Sequence, residues 1–331
     1  MRTLIIAEAG QNHNGNYKLA EQLVEEAFAA GADIVKFQTS NAKLMTSRYA
    51  QKADYQKKAT GSNESQLEML DRIHLKYPDF INLKKKCDDV GIQFLSTPFE
   101  LESIKFLEQF DMPFWKIPSG EITNLPYLLA VARTEKPVVM STGMCEMKEI
   151  EEAIKALKEN GTKDICLLHC NTEYPTPISD VNLCAMKTMR DYFGVEVGYS
   201  DHTLGIEVPI AAVAMGAVII EKHMTLERNM CGPDHMASLE PQEFACMVQS
   251  IRKVEQALGG YDKVVSPSEA KNRDIARKSI VAQKKIYKGE LLTEENITTK
   301  RPGNGINPMR WYEVIGTHAI RDFSEDELIE L

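Results

Sequence analysis

Eight short apolar runs recur along the chain, at residues 4–9, 34–39, 93–97, 114–118, 138–142, 165–171, 195–200 and 218–223. They are rich in β-branched residues and show little alternation, the pattern of strands buried on both faces. Between most of them the apolar positions return with helical period, at 17–30, 78–90, 101–109, 148–159 and 206–215. Strand and helix alternating in this way predict a (β/α)8 TIM barrel. The competitor, a doubly wound open sheet, often carries a glycine-rich phosphate loop after its first strand. Here that position reads Gly10-Gln11-Asn12-His13-Asn14-Gly15, without the GxGxxG spacing.

One connection breaks the rhythm. Residues 40–74 are polar and too long for an ordinary βα loop, and they follow the second strand. A segment of this kind is expected over the C-terminal rim of the barrel, as a lid or a partner contact. The barrel pattern closes with a helix at 241–258, which Gly259-Gly260 stops. Residues 261–275 then read as a polar linker containing Pro267, and 276–331 as short strands and turns. A domain so small is expected to depend on docking for its stability.

Composition narrows the possible functions. The chain has 331 residues, 43% hydrophobic and 26% charged, which is globular composition. A net charge of -9 argues against the concentrated basic face that nucleic acid requires. No run approaches a membrane span, and the apolar part of MRTLIIAEAG is too short for a signal peptide. Seven cysteines without a CxxC pair read as reduced thiols, so the expected location is cytoplasmic.

The chemistry is expected where a barrel collects it, at the C-terminal ends of its strands. Read in order, those ends supply Glu8, then Lys36 and Gln38, Thr97, then Lys116, Ser119 and Glu121, Ser141, Thr172 and Tyr174, Ser200 and His202, and finally His223. Two lysines with several hydroxyls and amides suit a ligand carrying phosphate and carboxylate. Glu8 and Glu121 are candidate acid/base groups. His202 and His223 close adjacent parallel strands and should face one another, a plausible two-imidazole site for a divalent metal. The alternative is that each is a strand-end histidine hydrogen-bonded to a loop. Strand alternation puts Glu221 on the side of His223 and Lys222 on the other, where packing or an ion pair would be its role.

The motifs NHNG, VKFQT, QLEML, FLSTPF, KIPSGEITNLPYL, STGM, LLHCNTEYPTP, GYSDH, IEKHMTL, GPDH, RKSIVA and TTKRPGNGI occur in this order over nearly the whole chain. Together they resemble the bacterial N-acetylneuraminate (sialic acid) synthases, close to the N,N'-diacetyllegionaminate synthases. The resemblance implies a synthase barrel at 1–260, a linker at 261–275 and a small antifreeze-like (SAF) domain at 276–331. It implies condensation of phosphoenolpyruvate with N-acetylmannosamine, or alternatively with a 2,4-diacetamido-trideoxy-mannose, and a divalent metal, Mn2+ or Mg2+, on His202 and His223. Lys36, Thr97, Lys116, Ser119, Ser141 and Ser200 would hold phosphoenolpyruvate, with Thr172 standing where some members place an asparagine near it and Glu121 where the family's catalytic glutamate lies. Glu8, Gln38, Tyr174 and Asp234 would lie near the sugar. Arg301 would reach a partner's barrel in a domain-swapped homodimer. The chain departs from the family pattern at Thr172, Met224 and Cys231. A metal-dependent barrel hydrolase would be expected to show an HxH pair on its first strand, which is missing, and a carbohydrate- or ice-binding protein would leave the barrel unexplained.

Overall fold

The computed structural model describes residues 2–61 and 64–331. The chain forms one compact unit ending at Gly259 and a second spanning Gly260–Leu331. The first unit contains eight strands, β1 (Leu4–Gly10), β2 (Ile34–Thr39), β3 (Gln93–Pro98), β4 (Trp115–Ile117), β5 (Val138–Ser141), β6 (Ile165–His169), β7 (Glu196–Asp201) and β8 (Ile219–His223). Their ladder runs β3-β2-β1-β8-β7-β6-β5-β4, parallel throughout. Because β3 and β4 also lie side by side, the sheet is a nearly closed barrel, as the repeating pattern predicts.

Outward-facing strand residues pack under the surrounding helices. Tyr17–Ala29 buries Ala20, Leu23, Val24 and Ala27 on one face, and Pro241–Leu258 buries Phe244, Met247, Val248 and Ile251. These are the i, i+3, i+4, i+7 positions of amphipathic helices. The lumen is tight near its middle. A Cβ on Gly198 would stand 2.4 Å from the Ile219 carbonyl oxygen and 2.7 Å from Leu168 Cδ2, so only glycine lets β7 and β8 approach here.

The 40–74 segment is not an open loop. It forms three short helices, Ala42–Met45, Asp54–Thr60 and Gln66–Ile73. The last begins with a capping box, in which Ser65 Oγ accepts the Glu68 N–H at 3.2 Å and Glu68 Oε2 accepts the Ser65 N–H at 2.8 Å. Lys52, almost fully buried, ties the segment together by donating to the Gly61 carbonyl at 2.6 Å and to Thr60 Oγ1 at 3.1 Å.

In the second unit, β9 (Ser279–Ala282) and β10 (Ile297–Lys300) form an antiparallel pair. Its own core gathers Ile280, Ile286, Leu292, Ile297, Val314, Phe323 and Ile329. The stretch read as a linker contains a helix, Pro267–Ala276, because Ser266 and Glu269 make another reciprocal cap and proline suits the first turn. Arg301 is exposed in this unit, its Nε donating to the Ala276 carbonyl at 3.0 Å. Among the described residues no helix is long and apolar enough to cross a membrane.

Candidate active site

Period-two alternation along the strands aims Glu8, Lys36, Lys116, Ser141, Ser200, Glu221 and His223 into one cavity at the C-terminal end of the barrel. The cavity has a volume of about 620 Å³, and Gln38, Thr97, Ser119, Thr172, Tyr174, His202 and Asp234 line it as well. Glu121 is not among the lining residues. It ends the 3-10 turn Ser119–Glu121, and its half-buried carboxylate accepts a 2.6 Å hydrogen bond from Asn124 Nδ2.

The floor alternates charge. Lys36 Nζ lies 2.9 Å from Glu8 Oε2 and 3.4 Å from Glu221 Oε2, and donates to Thr97 Oγ1 at 3.1 Å. Lys116 Nζ donates to Ser141 Oγ at 2.7 Å but is 3.7 Å from its nearest carboxylate oxygen, on Glu221. Burial opposes the charge of both lysines. Glu221 and Glu8 outweigh it at Lys36, whose pKa is raised, whereas the pKa of Lys116 is lowered. Lys116 is therefore the cation with unspent charge, which an entering oxyanion would satisfy. Burial raises the Glu8 carboxyl, with Glu221 adding to the effect. Glu221 resists the same burial because Lys116 and Lys36 hold its pKa down. Ser200 Oγ donates to Glu221 at 3.0 Å, and Gln38 Nε2 donates to Glu8 at 2.9 Å.

Hydroxyls complete the cradle. Ser119 Oγ accepts the Gly143 N–H at 2.9 Å. A Cβ on Gly143 would come within 2.7 Å of Thr172 and 3.0 Å of Cys170, so glycine lets the turn after β5 close on the rim.

His202 and His223 face one another with ring centroids 5.4 Å apart. His202 Nδ1 donates to the Asn171 carbonyl, which leaves Nε2 as the acceptor of the Tyr174 hydroxyl at 3.0 Å. Burial lowers the His202 pKa to about 4 and takes that of His223 well below the ordinary value, with His202 contributing. Both rings are neutral, the form that binds metal. His223 Nδ1 is buried without a hydrogen-bond partner, 3.9 Å from Asp234 Oδ2. Burial, with Glu8 nearby, raises the Asp234 carboxyl to about 7. Two lone-pair imidazoles, one fixed by a backbone carbonyl, fit a divalent ion that keeps open positions. Among the described residues no cluster of three or more His, Cys, Asp and Glu side chains is arranged to hold a metal.

Glu221 and Tyr55 are two of several lining residues outside the candidate set, which also include Met45, Leu70, Gln56 and Gln66. Strand alternation was the signal for Glu221. For Tyr55 the sequence carries none, because its ring stacks on Tyr174 at 5.1 Å across a tertiary contact.

His74 fastens the end of the inserted segment. Its Nδ1 lies 2.6 Å from Ser40 Oγ and its Nε2 2.7 Å from Gln11 Nε2. Burial lowers its pKa from 6.5 to about 4, with Lys76 adding to the effect, so the folded protein holds it neutral while the unfolded chain takes up a proton below pH 6.5. Its contribution to stability is thus lost as pH falls from about 6.5 towards 4. Between pH 7 and 5 the wild type should lose about 2 kcal/mol more than His74→Gln. Urea unfolding of both proteins at the two pH values checks this.

A parallel barrel whose lumen joins buried lysines, carboxylates and neutral imidazoles is the site of an enzyme acting on a small anionic substrate. Residues 23–263 match the NeuB family model and residues 277–330 the SAF domain. The chain is 53% identical to N,N'-diacetyllegionaminic acid synthase of Campylobacter jejuni over 99% of each chain. It is 44% identical to the enzyme of that name from Legionella pneumophila, covering 98% of this chain and 92% of that one. Human N-acetylneuraminate-9-phosphate synthase is 34% identical, with 98% and 90% covered. The solved N-acetylneuraminic acid synthetase of Leptospira borgpetersenii superposes with a TM-score of 0.72 at 33% identity, with 82% and 90% covered. The chain belongs to the NeuB family and is a synthase of nonulosonic acids.

Proposed function

We propose that the protein condenses phosphoenolpyruvate with 2,4-diacetamido-2,4,6-trideoxymannose to give N,N'-diacetyllegionaminic acid and phosphate. The observation that supports the reaction is the Lys36-Glu221-Lys116 array at the floor of the cavity, beside two neutral histidines. The choice of sugar follows the relatives. Legionaminic acid synthases stand at 53% and 44% identity, against 34% for the human sialic acid phosphate synthase, so N-acetylmannosamine becomes the second substrate reading.

In this reading Lys116 and Lys36 neutralise the phosphate and carboxylate of phosphoenolpyruvate, while Thr97, Ser119, Ser141, Thr172 and Ser200 orient them. A divalent ion, Mn2+ or Mg2+, held by His202 and His223 would supply a Lewis acid for the aldehyde oxygen of the sugar. The enol carbon attacks that aldehyde, water adds to the cationic carbon left behind, and phosphate departs by carbon-oxygen cleavage. Glu8 lies in the cavity with its carboxyl raised by burial and next to Gln38, which suits it to hold the proton of the attacking water. Glu121 takes part once its carboxylate leaves Asn124. Tyr174 and Asp234 bound the sugar end. The homodimer, and Arg301 contributed by a partner subunit, belong to the same proposal and are carried by the resemblance of the KRPGNGI segment.

The test is turnover. Purified protein with phosphoenolpyruvate, Mn2+ and either sugar is assayed for phosphate release and for product mass. The diacetamido sugar is expected to give a kcat/KM about 10-fold or more above that of N-acetylmannosamine. The reverse order would restore the sialic acid reading, and no phosphate from either would remove both.

A further inference from the structure

The strand ends present lysines, carboxylates and imidazoles to the cavity, whereas the inserted segment presents, beside Asp54, Gln56 and Gln66, a patch of carbon. Met45, Tyr55 and Leu70 all line the cavity, one from each of the three short helices. Leu70 is 3% exposed and belongs with Ala42, Met69 and Ile73 to an apolar cluster separate from the barrel core, with Met45 packed against it. Tyr55 stacks on Tyr174, whose ring in turn stacks on His202 with centroids 4.1 Å apart. The three side chains are thus fixed by contacts of their own, and the wall they form is in place before a ligand arrives.

Gln56 and Gln66 interrupt the apolar surface with side-chain amides. The Gln56 side-chain oxygen Oε1 accepts the Ala53 N–H at 3.0 Å, which leaves the amide NH2 group as the free donor of this side chain. Apolar surface studded with amides complements N-acyl groups and a methyl terminus. A hydroxyl pressed against Leu70 or Met45 would lose its water and gain no partner.

We infer that Met45, Tyr55 and Leu70 are specificity-determining residues that select a sugar carrying a methyl rather than a hydroxymethyl group at C6. The inference rests on the synthase reading and deepens it, because it assigns the choice of sugar to the inserted helices and leaves the chemistry to the barrel. Its physical basis is burial of the C6 methyl and of the acyl methyls against a preformed wall.

The experiment uses two sugars that differ only at C6, 2,4-diacetamido-2,4,6-trideoxymannose and its 6-hydroxy counterpart, with phosphoenolpyruvate and Mn2+. The wild type is expected to favour the 6-deoxy sugar by about 10- to 100-fold in kcat/KM. Leu70→Asn should bring that ratio towards one through loss on the 6-deoxy sugar, with the KM for phosphoenolpyruvate unchanged. Met45→Gln, at a half-buried position, gives the same readout if Leu70→Asn disrupts the apolar cluster. Wild type that turns over neither sugar fails the synthase reading itself. Wild type that turns over both without preference, or variants that keep the wild-type ratio, overturn the inference while the synthase reading stands.

Discussion

Lys116→Met is expected to lower kcat/KM for phosphoenolpyruvate by about 10²- to 10³-fold while leaving the fold intact. Two features of the site set the size and the selectivity of the effect. Lys116 is 2% exposed and its nearest carboxylate oxygen is 3.7 Å away, so an arriving phosphate or carboxylate gives it the close anionic partner that the folded protein withholds. An interaction of this kind, formed only with ligand and away from water, is stronger than its surface equivalent. Stability behaves differently. Burial already disfavours the Lys116 ammonium, whose pKa is lowered, so an unbranched apolar side chain in its place removes a desolvation penalty. Glu221 keeps Lys36 and the Ser200 hydroxyl as partners. Steady-state kinetics with phosphoenolpyruvate as the varied substrate, alongside a thermal melt, separate the two effects. A loss below tenfold would mean that Lys116 is a structural cation and that the anion binds elsewhere.

The strand ends made much of this site readable from the chain alone. A strand with period two fixes which residues share a face, so Lys36 and Gln38, Ser200 and His202, and Glu221 and His223 enter the lumen together once the run is recognised as a strand. That rule reaches Glu221, but its place between Lys36 and Lys116 is a contact among three strands, which period two does not specify. Glu121 shows the opposite limit. It leaves the strand and enters a 3-10 turn, where alternation no longer applies and Asn124 decides the direction of its carboxylate. The inserted helices were not readable because they have 4, 7 and 8 residues. Helices this short are held by packing and caps rather than by propensity. The knot at Lys52 and the Tyr55-Tyr174 stack join residues that local sequence does not associate.

The largest expected loss of stability comes from a pair that never touches the cavity. Asp201 and Lys222 each precede a site histidine, and alternation turns them to the outer face of β7 and β8 as it turns His202 and His223 inward. There both are 0% exposed, with Lys222 Nζ 2.5 Å from Asp201 Oδ2 and donating also to the Thr203 carbonyl. The Thr203 hydroxyl and N–H donate to Asp201 Oδ1 at 2.9 and 3.2 Å. Lys222→Met removes the cation and leaves a buried carboxylate with only the Thr203 donors, at a cost of about 3–5 kcal/mol. For a unit of this size each kcal/mol moves the midpoint by about 2–4 °C, so the Tm should fall by roughly 10 °C. Adding Asp201→Asn removes the stranded charge and should return most of that loss. The pair also ties β8 to β7 and to the Thr203 carbonyl just after His202, one residue from each imidazole. Under the proposed metal role of His202 and His223, the double variant, stable again, is expected to bind Mn2+ more weakly than wild type, as measured by calorimetric titration. A double variant no more stable than Lys222→Met alone would show that packing, not the uncompensated carboxylate, accounts for the loss.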